Sequence, residues 1–202
     1  MSQHNGSLKD LTDKIYAINP EYLNLFTAES DTEFESAFSS LLKVAIENLE
    51  TNSKNYKALD ENGLSAAIAA GMTMPGLNVT QEANSNGHVD ITIRADFCTP
   101  PRKKLAEAKI YDGFKYHVKG LKQLLGYMTG RDSDGLMLIY VRKKSIATLI
   151  SKLGEKMNIE LPLNQQGQVY DHELKWAFNS NHTHESGEVV KIGHVACNLN
   201  VP

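Results

Sequence analysis

Val89-Asp90-Ile91-Thr92-Ile93 and Leu105-Ala106-Glu107-Ala108-Lys109-Ile110 are the two short runs from which the rest of the chain can be read outward. In the first, Ile91 and Ile93 alternate with Asp90 and Thr92. In the second, Glu107 and Lys109 alternate with apolar neighbours. Alternation with period two marks a β-strand, and Cys98-Thr99-Pro100-Pro101 between the runs is a turn signal. An antiparallel hairpin is therefore expected. Residues two apart in a strand share a face, so Glu107 and Lys109 point the same way while Ala108 points into the packing. A register that sets Asp90 opposite them gathers two carboxylates and an ammonium at one spot. Such a group can hold a hard divalent cation and activate a water beside it.

The 202-residue chain has the apolar fraction of a globular protein and a formal charge of −3. No run of about 18 apolar residues predicts a membrane span, and Met1-Ser2-Gln3-His4-Asn5-Gly6 has no signal-peptide core. The two cysteines, Cys98 and Cys197, lie far apart and form no metal or redox pair. A reducing cytoplasm is the expected compartment. The mild overall acidity hides a strong asymmetry. Residues 91–160 carry 14 Lys/Arg against 7 Asp/Glu, so most of the basic charge directly follows the candidate site. A local basic surface is what a polyanion senses.

Along the chain, a polar start leads into one helix from Leu8 to Asn19, ending before Pro20. Asp31 or Thr32 is the expected N-cap of a second helix, in which Phe34, Phe38, Leu41, Leu42, Ala45, Ile46 and Leu49 recur at helical spacing. Asp60 or Asn62 caps an Ala-rich helix from Leu64 to about Met72, which ends at Pro75-Gly76. Glu61 stands at its start. Leu77, Val79 and Gln81 predict a strand, and Asn84-Ser85-Asn86-Gly87 a tight turn. After the hairpin comes a helix from Lys115 to Met128, on which Gln123 and Tyr127 share a face. Lys115, Lys119 and Lys122 decorate it. Asp132-Ser133-Asp134-Gly135 is expected as a loop, Leu136 to Val141 as a buried strand ending in Arg142-Lys143-Lys144, and Ile146 to Met157 as a helix. Two strands, His172–Phe178 and Val189–Leu199, are expected to be joined by a polar turn over Asn179–Gly187. Trp176 and Phe178 alternate on the first of these as core residues. His182-Thr183-His184 has the spacing for one face of a strand, but without a cysteine pair it argues weakly for zinc. The histidines are expected at the surface.

Asp90, then Glu107-Ala108-Lys109, then a helix carrying Gln123-x-x-x-Tyr127, then a buried strand, resembles the PD-(D/E)XK nuclease superfamily, in its RecB-like branch. Val89 stands where that family's proline stands. The resemblance covers roughly residues 31–157. It implies an α/β fold: a mixed central sheet flanked by helices, a restriction-endonuclease-like core over 31–160. Residues 1–30 would then be an N-terminal helical extension and 161–202 a C-terminal β-hairpin extension. It further implies a Mg²⁺- or Mn²⁺-dependent nuclease acting on nucleic acid, with DNA the expected substrate and defence against foreign DNA a role found in such proteins. Asp90, Glu107 and the Ala108 carbonyl would ligate the metal, and Lys109 would orient or deprotonate the attacking water. A helix glutamate would complete the site, with Glu61 preferred over Glu82, Glu47 and Glu35. Gln123 and Tyr127, with Lys119 and Lys122 nearby, would contact the substrate. The competing expectation is a nuclease-fold module that binds nucleic acid or assembles a complex without cutting. The sequence leaves open a homo-oligomer or a partner subunit.

Overall fold

A computed structural model describes residues 7–74, 77–81, 89–98, 101–143 and 145–200. The expected turn at Asn84–Gly87, Glu82, Pro75-Gly76, Lys144 and the Thr99-Pro100 half of the hairpin turn lie outside the described residues.

The chain is an α/β fold built on one seven-stranded sheet. Its strands are β1 (Asn78–Gln81), β2 (Ile91–Ala95), β3 (Arg102–Ile110), β4 (Asp134–Val141), β5 (Tyr170–Asp171), β6 (Ala177–Thr183) and β7 (Val189–Asn198). They lie in the order β1-β2-β3-β4-β7-β6-β5. The centre, β3-β4-β7, is parallel, and both flanks are antiparallel. The C-terminal hairpin therefore continues the same sheet, because β7 pairs with β4 from Asp134↔Lys191 to Val141↔Asn198.

Two apolar layers cover the sheet. Helices α3 (Asp31–Thr51) and α4 (Glu61–Met72) bury Phe38, Leu42, Leu64 and Ile68 against Ile91, Ile93, Ala106 and Ala108. Helices α5 (Phe114–Tyr127) and α6 (Ile146–Glu160) bury Leu121, Leu124, Leu149 and Leu153 against Leu105, Met137 and Ile139. β4 is apolar on both sides from Leu136 to Val141, as a strand sandwiched between helices must be, whereas β3 buries Lys104, Glu107 and Lys109 among its apolar residues.

The N-terminal region differs from expectation. Two helices precede α3: α1 (Leu8–Ile18) and α2 (Pro20–Thr27). Pro20 starts a helix rather than only ending one, because its missing N–H is an orphan at the first helical position anyway. The α3 cap is Ser30, not Asp31 or Thr32. Its hydroxyl accepts the Glu33 N–H while the Glu33 side chain accepts the Ser30 N–H, a reciprocal capping box. Asp60 does cap α4. Asp134 and Gly135 belong to β4 rather than to a loop. β6 begins at Ala177 because Trp176 has φ 58 and breaks the extended run, so Trp176 is not a strand residue. Asn179–Thr183 are strand, which shortens the expected polar turn. No described helix is long and apolar enough to cross a membrane.

The histidines overturn the expectation of a surface location. His117, His182 and His194 are buried and form one chain with Ser180. His182 Nδ1 lies 3.0 Å from the Leu163 carbonyl, which can only accept, so Nδ1 carries the proton. His182 Nε2 then accepts from the Ser180 hydroxyl at 2.8 Å. Ser180 Oγ in turn accepts from His194 Nε2 at 2.7 Å, and His194 Nδ1 accepts from His117 Nε2 at 3.0 Å. One carbonyl sets every tautomer in the chain, and the lone pair on His117 Nδ1 has no partner among the described residues. Burial keeps all three rings neutral. It pushes the His117 pKa down to about 4, and it holds His182 and His194 below the ordinary histidine value.

A lowered folded pKa gives stability that is present above the unfolded value near 6.5 and is lost as pH falls towards 4. The difference in unfolding free energy between the parent and His117→Leu should therefore shift against the parent on acidification. The shift should approach about 3 kcal/mol by pH 4. Denaturant unfolding of both proteins at pH 7, 5.5 and 4.5 measures it. A pH-independent difference would mean that His117 is not held neutral.

Candidate active site

The site forms because β3 outruns its neighbour. The register Ile91↔Ala106 leaves Ala108 and Ile110 beyond the first residue of β2, so their N–H groups need acceptors from elsewhere. Asp90, one residue before β2, supplies one: its Oδ2 accepts the Ala108 N–H at 2.8 Å. Glu61 supplies the other from the first turn of α4. Its Oε2 accepts the Ile110 N–H at 2.9 Å, while its Oε1 accepts from Lys109 Nζ at 3.0 Å. Lys109 Nζ also lies 2.8 Å from Glu107 Oε1 and 3.8 Å from Asp90 Oδ2. The structure thus brings Glu61, Asp90, Glu107 and Lys109 together, with the Ala108 backbone between the acids. Of the other helix glutamates considered, Glu35 pairs with Lys104 and Glu47 with Lys43, away from this group.

Burial makes the cluster electrostatically unusual. Glu107 is 2% exposed and Lys109 8%. Among the described residues, the buried Glu107 Oε2 has no hydrogen-bond partner. Burial pushes the Glu107 pKa up to about 7; the hydrogen bond from Lys109 opposes this, and the charges of Asp90 and Glu61 add to it. Asp90 is also raised, chiefly by burial, against the pull of the Ala108 N–H and Lys109. For Lys109, burial works against the ammonium. The hydrogen bonds to Glu107 and Glu61 outweigh that, and its pKa ends above the ordinary lysine value.

A second buried lysine gives the comparison. Lys104, near the other end of β3, lies 2.5 Å from Glu35 and 2.8 Å from Asp134, and Lys191 approaches the same Glu35 at 3.8 Å. There two acids meet two bases. At Lys109 three acids meet one.

Helix α5 closes one side. A Cβ added at Gly120 would lie 2.8 Å from Lys109 Cγ and 3.0 Å from Met137 Cε, so glycine there lets the helix sit directly on the lysine stem. Tyr116, Gly120, Gln123 and Tyr127 follow at i, i+4, i+7 and i+11 and share that face. Gln123 and Tyr127 are half-buried further along the helix, and Lys119 and Lys122 are exposed. Among the described residues, no hydrogen bond or ion pair joins these four to the acids. Tyr116 was not foreseen. Its phenol pKa is raised by burial and by the charge of Glu61, with Asp112 and Asp90 adding and Lys109 opposing. Extending the Gln123–Tyr127 face back two turns would have found it.

The other side is open. Thr80 pairs with Thr92, Asn78 with Arg94, and Arg94 with Lys103. Asn78, Thr80, Arg94 and Lys103 are exposed and Thr92 is half-buried. A polar strip carrying Arg94 therefore runs from the acids across the β1–β2 edge of the sheet, while Lys103 is paired with Asp132 at 2.7 Å.

Compared with known proteins, the chain matches no family model, no curated protein and no solved structure.

Proposed function

We propose that the chain is a metal-dependent nuclease that hydrolyses phosphodiester bonds, with DNA as substrate and the Lys109 cluster as its active site. The observation that carries this reading is the charge imbalance: three carboxylates converge on one ammonium, and among the described residues a buried Glu107 oxygen has no partner. Burying such a group is expensive unless a further cation completes it.

The residues fit Mg²⁺ or Mn²⁺. Among the described residues no set of three or more His, Cys, Asp or Glu is placed to hold a metal ion by itself. These ions seldom use one; they take one or two carboxylates and leave the remaining positions to water and substrate phosphates. Asp90 and Glu107 would hold the ion, with the Ala108 carbonyl, which emerges on the same side of β3 as the N–H bonded to Asp90. When bound, the ion supplies Lewis-acid stabilisation of phosphoryl oxygens and acidifies water.

The chain's own residues do the rest. The Ala108 N–H holds the Asp90 carboxylate in one orientation. Glu61 and Glu107 aim the Lys109 ammonium, which donates a hydrogen bond to water or to a phosphate oxygen as charge grows there. Burial raises the Glu107 pKa, and binding of the ion would hold this carboxyl ionised. Arg94 on the exposed strip offers positive charge to a phosphate backbone.

The test is incubation of plasmid and linear DNA with the purified chain and Mg²⁺ or Mn²⁺, beside Asp90→Asn. Asparagine still accepts the Ala108 N–H but removes the charge. Cleavage by the parent that vanishes with EDTA and falls by about 10²-fold or more in Asp90→Asn supports the reading. DNA binding without cleavage under any divalent condition would leave the non-cutting module instead.

A further inference from the structure

Helix α1 carries an apolar stripe that the described fold leaves open. Leu8, Leu11, Ile15 and Ile18 recur at spacings of three, four and three, which lines them up along one side of a helix in the pattern of a coiled-coil seam. Leu8 is 79% exposed, Leu11 56% and Ile18 82%, and Ile15 is half-buried. Among the described residues, α1 buries none of its 11. A helix of that length is marginal in water on its own, so the stripe needs a cover.

The stripe is also held in a fixed direction. Ser7 and Asp10 close a capping box on the first turn of α1. Asn19 ends α1 and starts α2: its N–H donates to the Ile15 carbonyl, and its side-chain oxygen accepts the Glu21 N–H. Helix α2 is anchored to the body in turn. Leu25 lies in the core, and the Phe26 ring stands 4.5 Å from that of Phe97. One residue therefore sets the angle between the two helices, and the seam is presented rather than left to fray.

Two observations choose the occupant. A ridge of four aliphatic side chains at this spacing fits another ridge of the same spacing, knob into hole. The flanking residues Lys9, Asp10, Asp13 and Lys14 are all exposed and hold two bases and two acids, so a like surface meets no opposing field of its own sign. The same balance gives an anionic membrane nothing to attract, since surface-lying helices carry a basic polar face. We propose that α1 pairs with α1 of a second copy of this chain about a two-fold axis, making the protein a reversible homodimer. Four side chains per copy fall short of the about 800 Å² per partner of a standard interface. The dimer therefore belongs in the weak class, with a dissociation constant of about 1–100 µM. The pairing does not rest on the nuclease reading.

The test is sedimentation velocity of the full chain over about 1–300 µM, where mass action moves a weak dimer from mostly monomer to mostly dimer. Leu11→Glu and Ile18→Glu should each raise the dissociation constant by at least about ten-fold, because each buries a charge in the seam. Both positions are exposed in the single chain, so thermal unfolding of the variants at the lowest concentration should match the parent. Ile159→Glu, at an exposed apolar residue of α6, should leave the dimer unchanged. A parent that stays monomeric throughout the range would overturn the proposal and leave the stripe to a different protein. A dimer that survives both seam variants, or one that Ile159→Glu dissolves as readily, would overturn it as well.

Discussion

Lys109→Met should abolish metal-dependent cleavage, by about 10²–10³-fold or more, and make the protein's stability steeply dependent on pH. The activity loss is that of removing a pre-aimed cationic donor from a developing phosphoryl charge. Methionine keeps most of the stem that packs on Gly120, so the change is electrostatic rather than steric. The stability effect follows from what remains. Without the ammonium, Glu107, Asp90 and Glu61 face one another, and a buried ionised carboxylate that loses its partner costs about 3–5 kcal/mol. Glu107 can avoid that penalty by taking a proton, because its pKa is already raised. Lys109→Met should therefore be only mildly destabilised at pH 5 and severely so at pH 8. The contribution of the parent Lys109, whose folded pKa is raised, is complete below the unfolded value near 10.5 and fades only above it. Urea unfolding of both proteins across this range measures the divergence. Parallel curves would mean that Lys109 is not the counter-charge of the acids.

Glu107→Gln should be inactive and, above neutral pH, more stable than the parent. A carboxyl whose folded pKa is raised from 4.5 to about 7 binds more protons when folded than when unfolded between those values. The parent's stability from this group is thus full below pH 4.5, falls as pH rises towards 7, and stays low beyond. The loss amounts to up to about 3 kcal/mol. Glutamine is neutral throughout and escapes it. The two proteins should match near pH 4.5, and Glu107→Gln should lead by pH 8. The buried histidines act with the opposite sign over pH 4–6.5, but they are common to both proteins and cancel in the difference. A lead that does not grow with pH would show that Glu107 is ionised in the fold without penalty. Stability gained together with activity lost is the expected mark of strain kept for function.

The hairpin and the convergence of Glu107 with Lys109 could be read from the sequence because strand alternation is a local property: two residues apart means one face. Glu61 was accessible for a similar reason, since Asp60 marks a helix start and places the next residue at its mouth. The buried histidines were not accessible. His117 and His194 are 77 positions apart, and a polar side chain's burial is decided by partners that no local pattern announces. Trp176 was misassigned because apolar alternation continues through it, while its backbone adopts a left-handed φ that only the surrounding packing imposes. The second N-terminal helix was lost by treating Pro20 only as a stop. The order of strands, with β7 beside β4, is a non-local choice that alternation alone does not encode.

The most direct measurement is a crystal grown with Mn²⁺ and examined by anomalous scattering. The expected result is a peak between Asp90 and Glu107, at about 2.1 Å from an oxygen of each, with Glu107 Oε2 no longer unpartnered. All three acids still turned onto Lys109 at saturating Mn²⁺, with no peak among them, would contradict it.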